Sequence, residues 1–208
     1  MVTNLILKKI NQLNFMNNAK VKILDKTILS KNWATLWKYT YEFIKFDGNT
    51  EVQEREVYDR GNAATIMLYN EEHGTVILTR QFRLPTFVNE NPDGMMIEAC
   101  AGLLDDDNPE DCIRRETEEE TGFKLTSVRK IFESYMSPGS VTEILHFFVG
   151  AYSKDMKVND GGGIAHEQED IEVLEIGIDE AMKMIDNGEI KDAKTIMLLQ
   201  YVKLHGLV

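Results

Sequence analysis

Cysteine, proline and long apolar runs are scarce in this sequence. Its 208 residues include 2 Cys and 4 Pro. Cys100 and Cys112 have no CxxC spacing and no companion histidine cluster, which argues against a disulfide framework or a zinc site, so both are interpreted as buried thiols. The apolar run Leu5 to Leu7 is too short for a signal-peptide core or a membrane span. We therefore expect a cytoplasmic protein.

Positive charge is also in short supply. The chain has 23 Lys and Arg against 35 Asp and Glu, a net charge of −12. A field of this sign repels polyanions, so nucleic acid and membranes are not expected partners. A small anion is still allowed, because local basic side chains or a bound divalent cation can reverse the field inside one cleft.

The hydrophobic pattern divides the chain into three parts. Strand-like alternation between Lys20 and Asp59, with a hairpin signal at Asp47-Gly48-Asn49, predicts an antiparallel β meander. Later apolar runs such as ATIMLY and MMIEACAG predict buried strands, and helical segments follow them. The predicted fold is α/β, with a mixed sheet covered by helices on both faces. The expected domains are an extension at 1–20, a β subdomain at 21–60 and the main domain at 61–208.

Three helices have start and stop signals. Asn108 as N-cap, Pro109 at the first helical position and Gly122 after the last predict a helix over 109–121. A second helix is expected at 180–187, capped by Asp179 and Gly188. A third is expected from Ala193 to about His205, behind Asp192.

The first of these helices carries a cluster of acidic residues. Glu116, Glu119 and Glu120 stand at i, i+3 and i+4, so their carboxylates share one face of the helix. An acidic run is usually a solvated surface, but clustered carboxylates also suit hard divalent cations such as Mg²⁺ or Mn²⁺. Such cations bridge phosphate oxygens and acidify water, which suits displacement at phosphorus in a diphosphate.

The context of the cluster resembles a known signature. A buried strand ending in Ala101-Gly102-Leu103-Leu104 leads through a tight loop into the glutamate helix. This arrangement resembles the Nudix hydrolases, and seven residues fit the family pattern: Gly102, Arg115, Glu116, Glu119, Glu120, Gly122 and Phe123. The segment from Gly102 to Arg115 is one residue shorter than the pattern, and Thr117 replaces an apolar residue.

The resemblance extends from about Lys22 to the C-terminus and is closest to the GDP-mannose pyrophosphatase branch, beside the ADP-ribose pyrophosphatases. It implies an α/β/α sandwich behind a small N-terminal β subdomain. It also implies Mg²⁺-dependent hydrolysis of a nucleoside diphosphate sugar, GDP-mannose to GMP and mannose 1-phosphate. ADP-ribose hydrolysis to AMP and ribose 5-phosphate is the alternative substrate, and a non-catalytic nucleotide-sugar sensor is the alternative class.

The resemblance also assigns roles to individual residues. Glu116, Glu120 and the carbonyl of Ala101 are the implied metal ligands, Arg115 orients a glutamate and Glu119 assists. The family carries an acidic base or ligand on a later mobile loop; here Glu169 is favoured and Glu167 is second, behind a hinge at 161–163. The implied substrate contacts are Trp33, Arg55, Glu56, Arg83, Glu143 and Lys194. A homodimer with an exchanged N-terminal subdomain is expected.

Overall fold

The segment in which apolar and polar residues alternate forms three consecutive antiparallel strands at the start of the described chain. The computed structural model describes residues 20–164 and 169–208. The first strands are β1 (Val21–Lys31), β2 (Thr35–Ile44) and β3 (Thr50–Asp59), with β2 in the middle. Gly48 between β2 and β3 has a φ of +86°, and the Asn49 N–H donates to Asp47 Oδ1 at 2.9 Å. The predicted hairpin turn is confirmed.

Two compact units divide the chain. The first contains residues 20–60 together with Ser137–Thr142, and the second contains Gly61–Met136 and Glu143–Val208. In the first unit, Tyr58 N–H donates to the Ser140 carbonyl at 2.8 Å, and the Thr142 hydroxyl donates to Asp59 Oδ1 at 2.9 Å. The distant segment Ser137–Thr142 is thereby tied to the end of β3.

The second unit contains a seven-stranded mixed sheet. Its strands are β4 (Ala63–Asn70), β5 (Thr75–Phe82), β6 (Met95–Glu98), β7 (Ala101–Leu103), β8 (Arg129–Tyr135), β9 (Ile144–Ala151) and β10 (Glu172–Gly177). The main order is β10-β5-β4-β9-β8, while β6 pairs with β5 and β7 pairs with β4. The β4–β9 pair is parallel and the other pairs are antiparallel, as the predicted mixed sheet requires.

The apolar run MMIEACAG, which predicts buried strand structure, contributes to two strands, β6 and β7. The segment changes partner strands between Glu98 and Ala101. The Cys100 carbonyl accepts hydrogen bonds from Ile66 N and the Thr65 hydroxyl, both at 3.0 Å. The backbone polar groups are thus satisfied while the chain moves from one neighbouring strand to another.

Four α-helices and one 3₁₀-helix (Lys154–Met156) occur in the described residues. The α-helices are α1 (Leu84–Val88), α2 (Pro109–Thr121), α3 (Ile178–Asp186) and α4 (Ala193–Leu204). The bounds of α2 match the prediction, and Asn108 Oδ1 accepts from Glu110 N and Asp111 N at 3.1 Å each. At α4, Asp192 caps as predicted by accepting from Thr195 N at 3.0 Å. The short helix α1 was not predicted.

The expected cap of α3 is wrong. Gly177 occupies the N-cap position, and Asp179 lies in the first turn, where its carboxylate accepts from Lys203 Nζ at 2.6 Å. The helix starts earlier because Ile178, which is 6% exposed, packs into the core from its first turn. Burial of that side chain therefore decides the helix start.

Helices cover both faces of the sheet. Met67 on β4 belongs to a core cluster with Ala181 of α3 and Leu198 of α4. Ile66, the next residue toward the N-terminus, belongs to a second cluster with Ile113 of α2. Adjacent strand residues point to opposite faces, so the two clusters lie on the two sides of β4. The predicted two-sided covering is confirmed. Within the described residues, no helix is long and apolar enough to cross a membrane.

Candidate active site

Gly102 allows the first glutamate of the cluster to pack against strand β7. A Cβ built on Gly102 would overlap the carboxyl carbon of Glu116. A side chain at position 102 would therefore displace the Glu116 carboxyl group from its place against β7. This contact places the Glu116 carboxylate beside the backbone that carries Ala101.

Arg115 holds two of the glutamates. Its Nη2 lies 3.0 Å from Glu116 Oε1 and its Nη1 lies 2.8 Å from Glu119 Oε2. Its Nε is 3.6 Å from Asp107 Oδ2 in the loop before the helix. One guanidinium thus orients two carboxylates of the same helix and links them to the preceding loop.

Glu120 is the most deeply buried member of the cluster. The residue is only 2% exposed. Its Oε2 has no hydrogen-bond partner among the described residues. A buried carboxylate oxygen without a partner is costly, so native proteins rarely keep one without a functional reason.

Thr117, on the same helix, donates its hydroxyl to the Ile113 carbonyl at 2.6 Å. This hydrogen bond explains how a polar residue is accommodated where the family pattern has an apolar one.

Burial and mutual repulsion raise the pKa of two of these carboxyl groups. Burial raises the pKa of Glu120 to about 8, and the negative charges of Glu116 and Glu169 add to the rise, while Cys100 and Arg83 act against it. Burial likewise raises the pKa of Glu116 to about 7, with Arg115 opposing and Glu119 and Glu169 contributing. The three carboxylates therefore sense one another electrostatically, so they form one acidic site.

A glycine loop places Glu169 near the helix. Gly162 N donates to the Glu120 carbonyl at 2.9 Å and Gly163 N to the Glu119 carbonyl at 3.1 Å. The φ angles of Gly161, Gly162 and Gly163 are 71°, 103° and 80°, a conformation that L side chains rarely adopt. Glu169 Oε2 accepts from Ile164 N at 2.9 Å. Glu167, the second candidate for the loop acid, lies outside the described residues.

Two predicted substrate contacts meet at one buried carboxylate. Arg83, directly after β5, donates from Nε to Glu98 Oε2 at 2.7 Å, and Lys194, on the first turn of α4, donates to Glu98 Oε1 at 2.7 Å. Lys194 also lies 3.0 Å from Asp192 Oδ2. Arg83 is close enough to Glu120 to lower its pKa, which joins this group to the acidic site.

The remaining predicted contacts lie elsewhere. Trp33, in the turn between β1 and β2, is 70% exposed, and the Arg60 guanidinium lies 5.2 Å from its ring centroid. Arg55 and Glu56 stand on β3, opposite Tyr39 and Lys38 of β2. These residues belong to the first unit. Glu143 is half-buried in the second unit, just before β9.

The donor set fits a hard divalent cation. In residues 20–164 and 169–208, no three acidic, imidazole or thiolate side chains stand close enough to hold a metal by themselves. The implied ligands combine carboxylates with a backbone carbonyl, and like-charged carboxylates separate without a cation between them. The unpartnered buried Oε2 of Glu120 is the donor such a cation would satisfy. Glu116, Glu120, Glu169 and the Ala101 carbonyl are the oxygen donors available there.

A strand that carries Gly102, a short loop and a glutamate helix in a two-sided α/β sandwich define a class of proteins. A model of the NUDIX domain matches residues 59–199, and the chain belongs to the Nudix family, whose members typically depend on a divalent metal. A second model, described as the GDP-mannose pyrophosphatase NudK N-terminal domain, matches residues 20–58.

Full-length relatives carry a more specific name. A GDP-mannose pyrophosphatase from Yersinia enterocolitica is 58% identical over 191 residues, covering 92% of this chain and 99% of that protein. A GDP-mannose pyrophosphatase from Pectobacterium atrosepticum is 54% identical, covering 91% of this chain and 97% of that protein. One from Yersinia pestis is also 54% identical, covering 90% and 94%.

Sequence reasoning missed one residue that the structure places at the site. Glu98 lies within the apolar run MMIEACAG, and the residue is only 6% exposed. A lone carboxylate inside a buried strand needs a charged partner, and that mismatch was the available signal. The partners, Arg83 and Lys194, are 15 and 96 positions away, so the sequence alone could not identify them.

Proposed function

We propose that this chain hydrolyses the diphosphate of GDP-mannose, giving GMP and mannose 1-phosphate, in a reaction that depends on a divalent cation. The observation that carries the proposal is the identity of 58% to a GDP-mannose pyrophosphatase over 99% of that protein's length. An identity of this size over nearly the whole length of both chains supports a shared substrate. The carboxylate cluster supplies the matching chemistry.

The proposed ligands are Glu116, Glu120, Glu169 and the Ala101 carbonyl, with Mg²⁺ as the cation and Mn²⁺ as a substitute. Such a cation, when bound, polarises phosphate oxygens and lowers the pKa of water. Arg115 keeps Glu116 and Glu119 directed toward the site through its two ion pairs. The 2%-exposed position of Glu120 excludes bulk water from its carboxylate, which strengthens its electrostatic interactions.

We assign the base to Glu169, with Glu167 as the alternative. The Glu169 carboxylate lies close enough to Glu116 and Glu120 to influence the pKa of both. Its Oε2 is held by Ile164 N, and Oε1 is the atom that would accept a proton from the attacking water. The left-handed glycine backbone at 161–163 lets the loop turn closely against α2 and bring Glu169 to the site.

Arg83 and Lys194 are the proposed contacts of the substrate's phosphates and sugar in the second unit. Arg83 projects from the end of β5 and is 42% exposed, so its guanidinium is accessible to a phosphate. Glu143 is a further proposed contact. In a chain of net charge −12, these cations and the bound metal provide the local positive charge that an anionic substrate requires.

We also propose a homodimer in which the N-terminal sheet of one copy completes the site of its partner through Trp33, Arg55 and Glu56. The three-stranded sheet supports this proposal because it exposes apolar side chains that a monomer would leave in water. On β1 these are Ile23, Leu24, Ile28 and Leu29, each between 38% and 48% exposed. Burying exposed apolar side chains against a second copy is a common role for such a surface.

The experiment is a product-resolved assay of the purified chain with Mg²⁺. GDP-mannose, ADP-ribose and other nucleotide sugars are offered separately, and the products are resolved by anion exchange. We expect GMP and mannose 1-phosphate to form fastest. Faster release of AMP from ADP-ribose would overturn the substrate assignment but leave the diphosphate chemistry. If none of the substrates is turned over, the hypothesis of an enzyme fails and that of a non-catalytic nucleotide-sugar sensor takes its place.

A further inference from the structure

We propose that Glu98 is a positioning residue for the substrate's diphosphate: its carboxylate fixes the guanidinium of Arg83 and the ammonium of Lys194 in the directions in which they bind the nucleoside diphosphate sugar. This inference deepens the proposed function and rests on it. Glu98 itself does not touch the reacting atoms; it acts through its two cationic partners.

The two oxygens of Glu98 are divided between its partners. Oε1 accepts from Lys194 Nζ and Oε2 from Arg83 Nε, both at 2.7 Å. The Glu98 side chain is 7% exposed and that of Lys194 is 13% exposed, so water competes little for these bonds. Charge-assisted hydrogen bonds shielded in this way hold a fixed geometry.

The bond from Arg83 to Glu98 engages Nε and leaves the two amino groups of the guanidinium available. Nε is engaged, whereas in the described part of the chain Nη1 and Nη2 have no hydrogen-bond partner. Those two amino groups form the fork that matches two phosphate oxygens. Because a guanidinium is planar, fixing Nε also fixes the plane in which the two amino groups point.

The first turn of helix α4 carries Lys194, which contacts the other carboxylate oxygen of Glu98. Asp192 Oδ2 lies 3.0 Å from Lys194 Nζ and also accepts from Thr195 N at 3.0 Å, so the helix cap and the lysine share one oxygen. The Thr195 hydroxyl in turn accepts from Ala99 N at 2.7 Å, in the residue after Glu98. The strand end and the start of α4 are therefore joined at two adjacent residues.

The charges of the network also balance locally. Arg83 and Lys194 carry two positive charges, and Glu98 and Asp192 carry two negative ones, all within contact distance. Removing the charge of Glu98 leaves Lys194 paired with Asp192 alone and deprives Arg83 of the carboxylate that accepts from its Nε. A buried network that loses one member cannot keep the same geometry, because the remaining cations repel each other.

A double-mutant cycle tests the proposal. Glu98→Gln, Arg83→Ala and the double variant are compared with wild type for KM and kcat in GDP-mannose hydrolysis. We expect Glu98→Gln to raise KM about tenfold and to change kcat less, the usual size for loss of a supporting residue. In the Arg83→Ala background the same change should raise KM less than about threefold, because Glu98 then has no guanidinium to orient.

If Glu98 had only a structural role, Glu98→Gln would raise KM by the same factor in the wild-type and the Arg83→Ala backgrounds. That result would overturn the proposal, and so would an unchanged KM in Glu98→Gln. The matched control is Glu172→Gln, which removes an exposed ion pair with Arg80 (2.6 Å) on the neighbouring strands and should leave KM unchanged. If Glu98→Gln does not fold by circular dichroism, the cycle is run with Glu98→Asp under the same criteria, since the shorter carboxylate cannot reach both cations.

The wild-type assay separates this proposal from the proposed function. Wild-type chain that prefers ADP-ribose refutes the GDP-mannose assignment, and the cycle is then run on ADP-ribose because it carries the same diphosphate. If wild type hydrolyses no nucleotide sugar, the catalytic proposal fails, and the cycle is measured as binding of GDP by calorimetry, with the same expected non-additivity in Kd.

Discussion

At the scale of single residues, the site depends on close approach as much as on charge. Gly102 has no side chain because the Glu116 carboxylate occupies the volume that a Cβ would fill. Arg115 then directs Glu116 and Glu119 from its own position on the helix. Chemistry and packing are therefore set by the same few residues, so a very small substitution tests the geometry.

Gly102→Ala should lower kcat at least about 100-fold, because the added methyl group displaces Glu116 and a displacement of about 1 Å costs that much in an active site. The control is Gly177→Ala, since a Cβ at Gly177 meets nothing within 4 Å. Steady-state hydrolysis of GDP-mannose measures both variants. Activity of Gly102→Ala equal to that of the control would contradict the proposed packing of Glu116.

The Glu98 carboxyl group should make the free energy of unfolding depend on pH. Burial acts to raise its pKa, but the charges of Lys194 and Arg83 outweigh burial and hold the pKa below its ordinary value of 4.5. A lowered carboxyl pKa contributes stability above the unfolded-state pKa, and this stability is lost as the pH falls through the folded-state pKa. At pH 7, Glu98→Gln should therefore cost about 3 kcal/mol of unfolding free energy.

The measurement is urea unfolding of wild type and Glu98→Gln at several pH values. The difference between the two should be constant from pH 7 to about pH 5 and should shrink below about pH 4.5. A difference that grows as the pH falls would mean that Glu98 is not held as a carboxylate by its two cationic partners.

At the scale of elements, local signals predicted more than long-range ones did. The bounds of α2 follow from Asn108, Pro109 and Gly122, which act within one helical turn. The start of α3 and the division of MMIEACAG into two strands depend on distant partners: the core around Ile178, and strands β4 and β5. The glutamates of the site were predictable for the same reason as α2, whereas Glu98 depends on contacts distant in sequence.

The loop that follows the 3₁₀-helix carries both candidates for the proposed general base, so substitutions there test which of them it is. Glu169→Gln should lower kcat by about 100-fold or more, the usual contribution of a general base, while Glu167→Gln should change it less than about threefold. Glu172→Gln is the control, since Glu172 lies in β10 beyond the loop. A silent Glu169→Gln with an inactive Glu167→Gln would contradict the assignment and move the base to Glu167.

At the scale of the whole molecule, the chain is acidic while its proposed substrate is anionic, so the proposed site needs cations gathered in one place, as Arg83 and Lys194 are at Glu98. The proposed dimer adds the residues of the N-terminal sheet, Arg55 among them. If the sites are completed by exchange between copies, a chain defective in one unit can be rescued by a chain defective in the other. Subunit complementation therefore tests the dimer proposal without depending on its shape.

Arg55→Ala and Glu120→Gln should each be nearly inactive alone. When the two are unfolded together and refolded in equal amounts, about one quarter of the sites should be intact, because half of the dimers are mixed and each has one undamaged site. Size-exclusion chromatography checks that dimers have formed. Activity no higher than the sum of the separate variants would contradict an exchanged site.

We propose that the α2 carboxylates form a metal-dependent centre for diphosphate hydrolysis. The most direct measurement compares wild type, Glu120→Gln and Glu118→Gln on GDP-mannose, with Mg²⁺ and with excess EDTA, by anion exchange of the products. Glu118 is the control because its carboxylate pairs with Lys124 at 3.1 Å on the more exposed side of the helix. We predict that wild type and Glu118→Gln release GMP only with Mg²⁺, while Glu120→Gln is at least about 100-fold slower. Undiminished GMP release by Glu120→Gln, or by wild type in EDTA, would contradict the account.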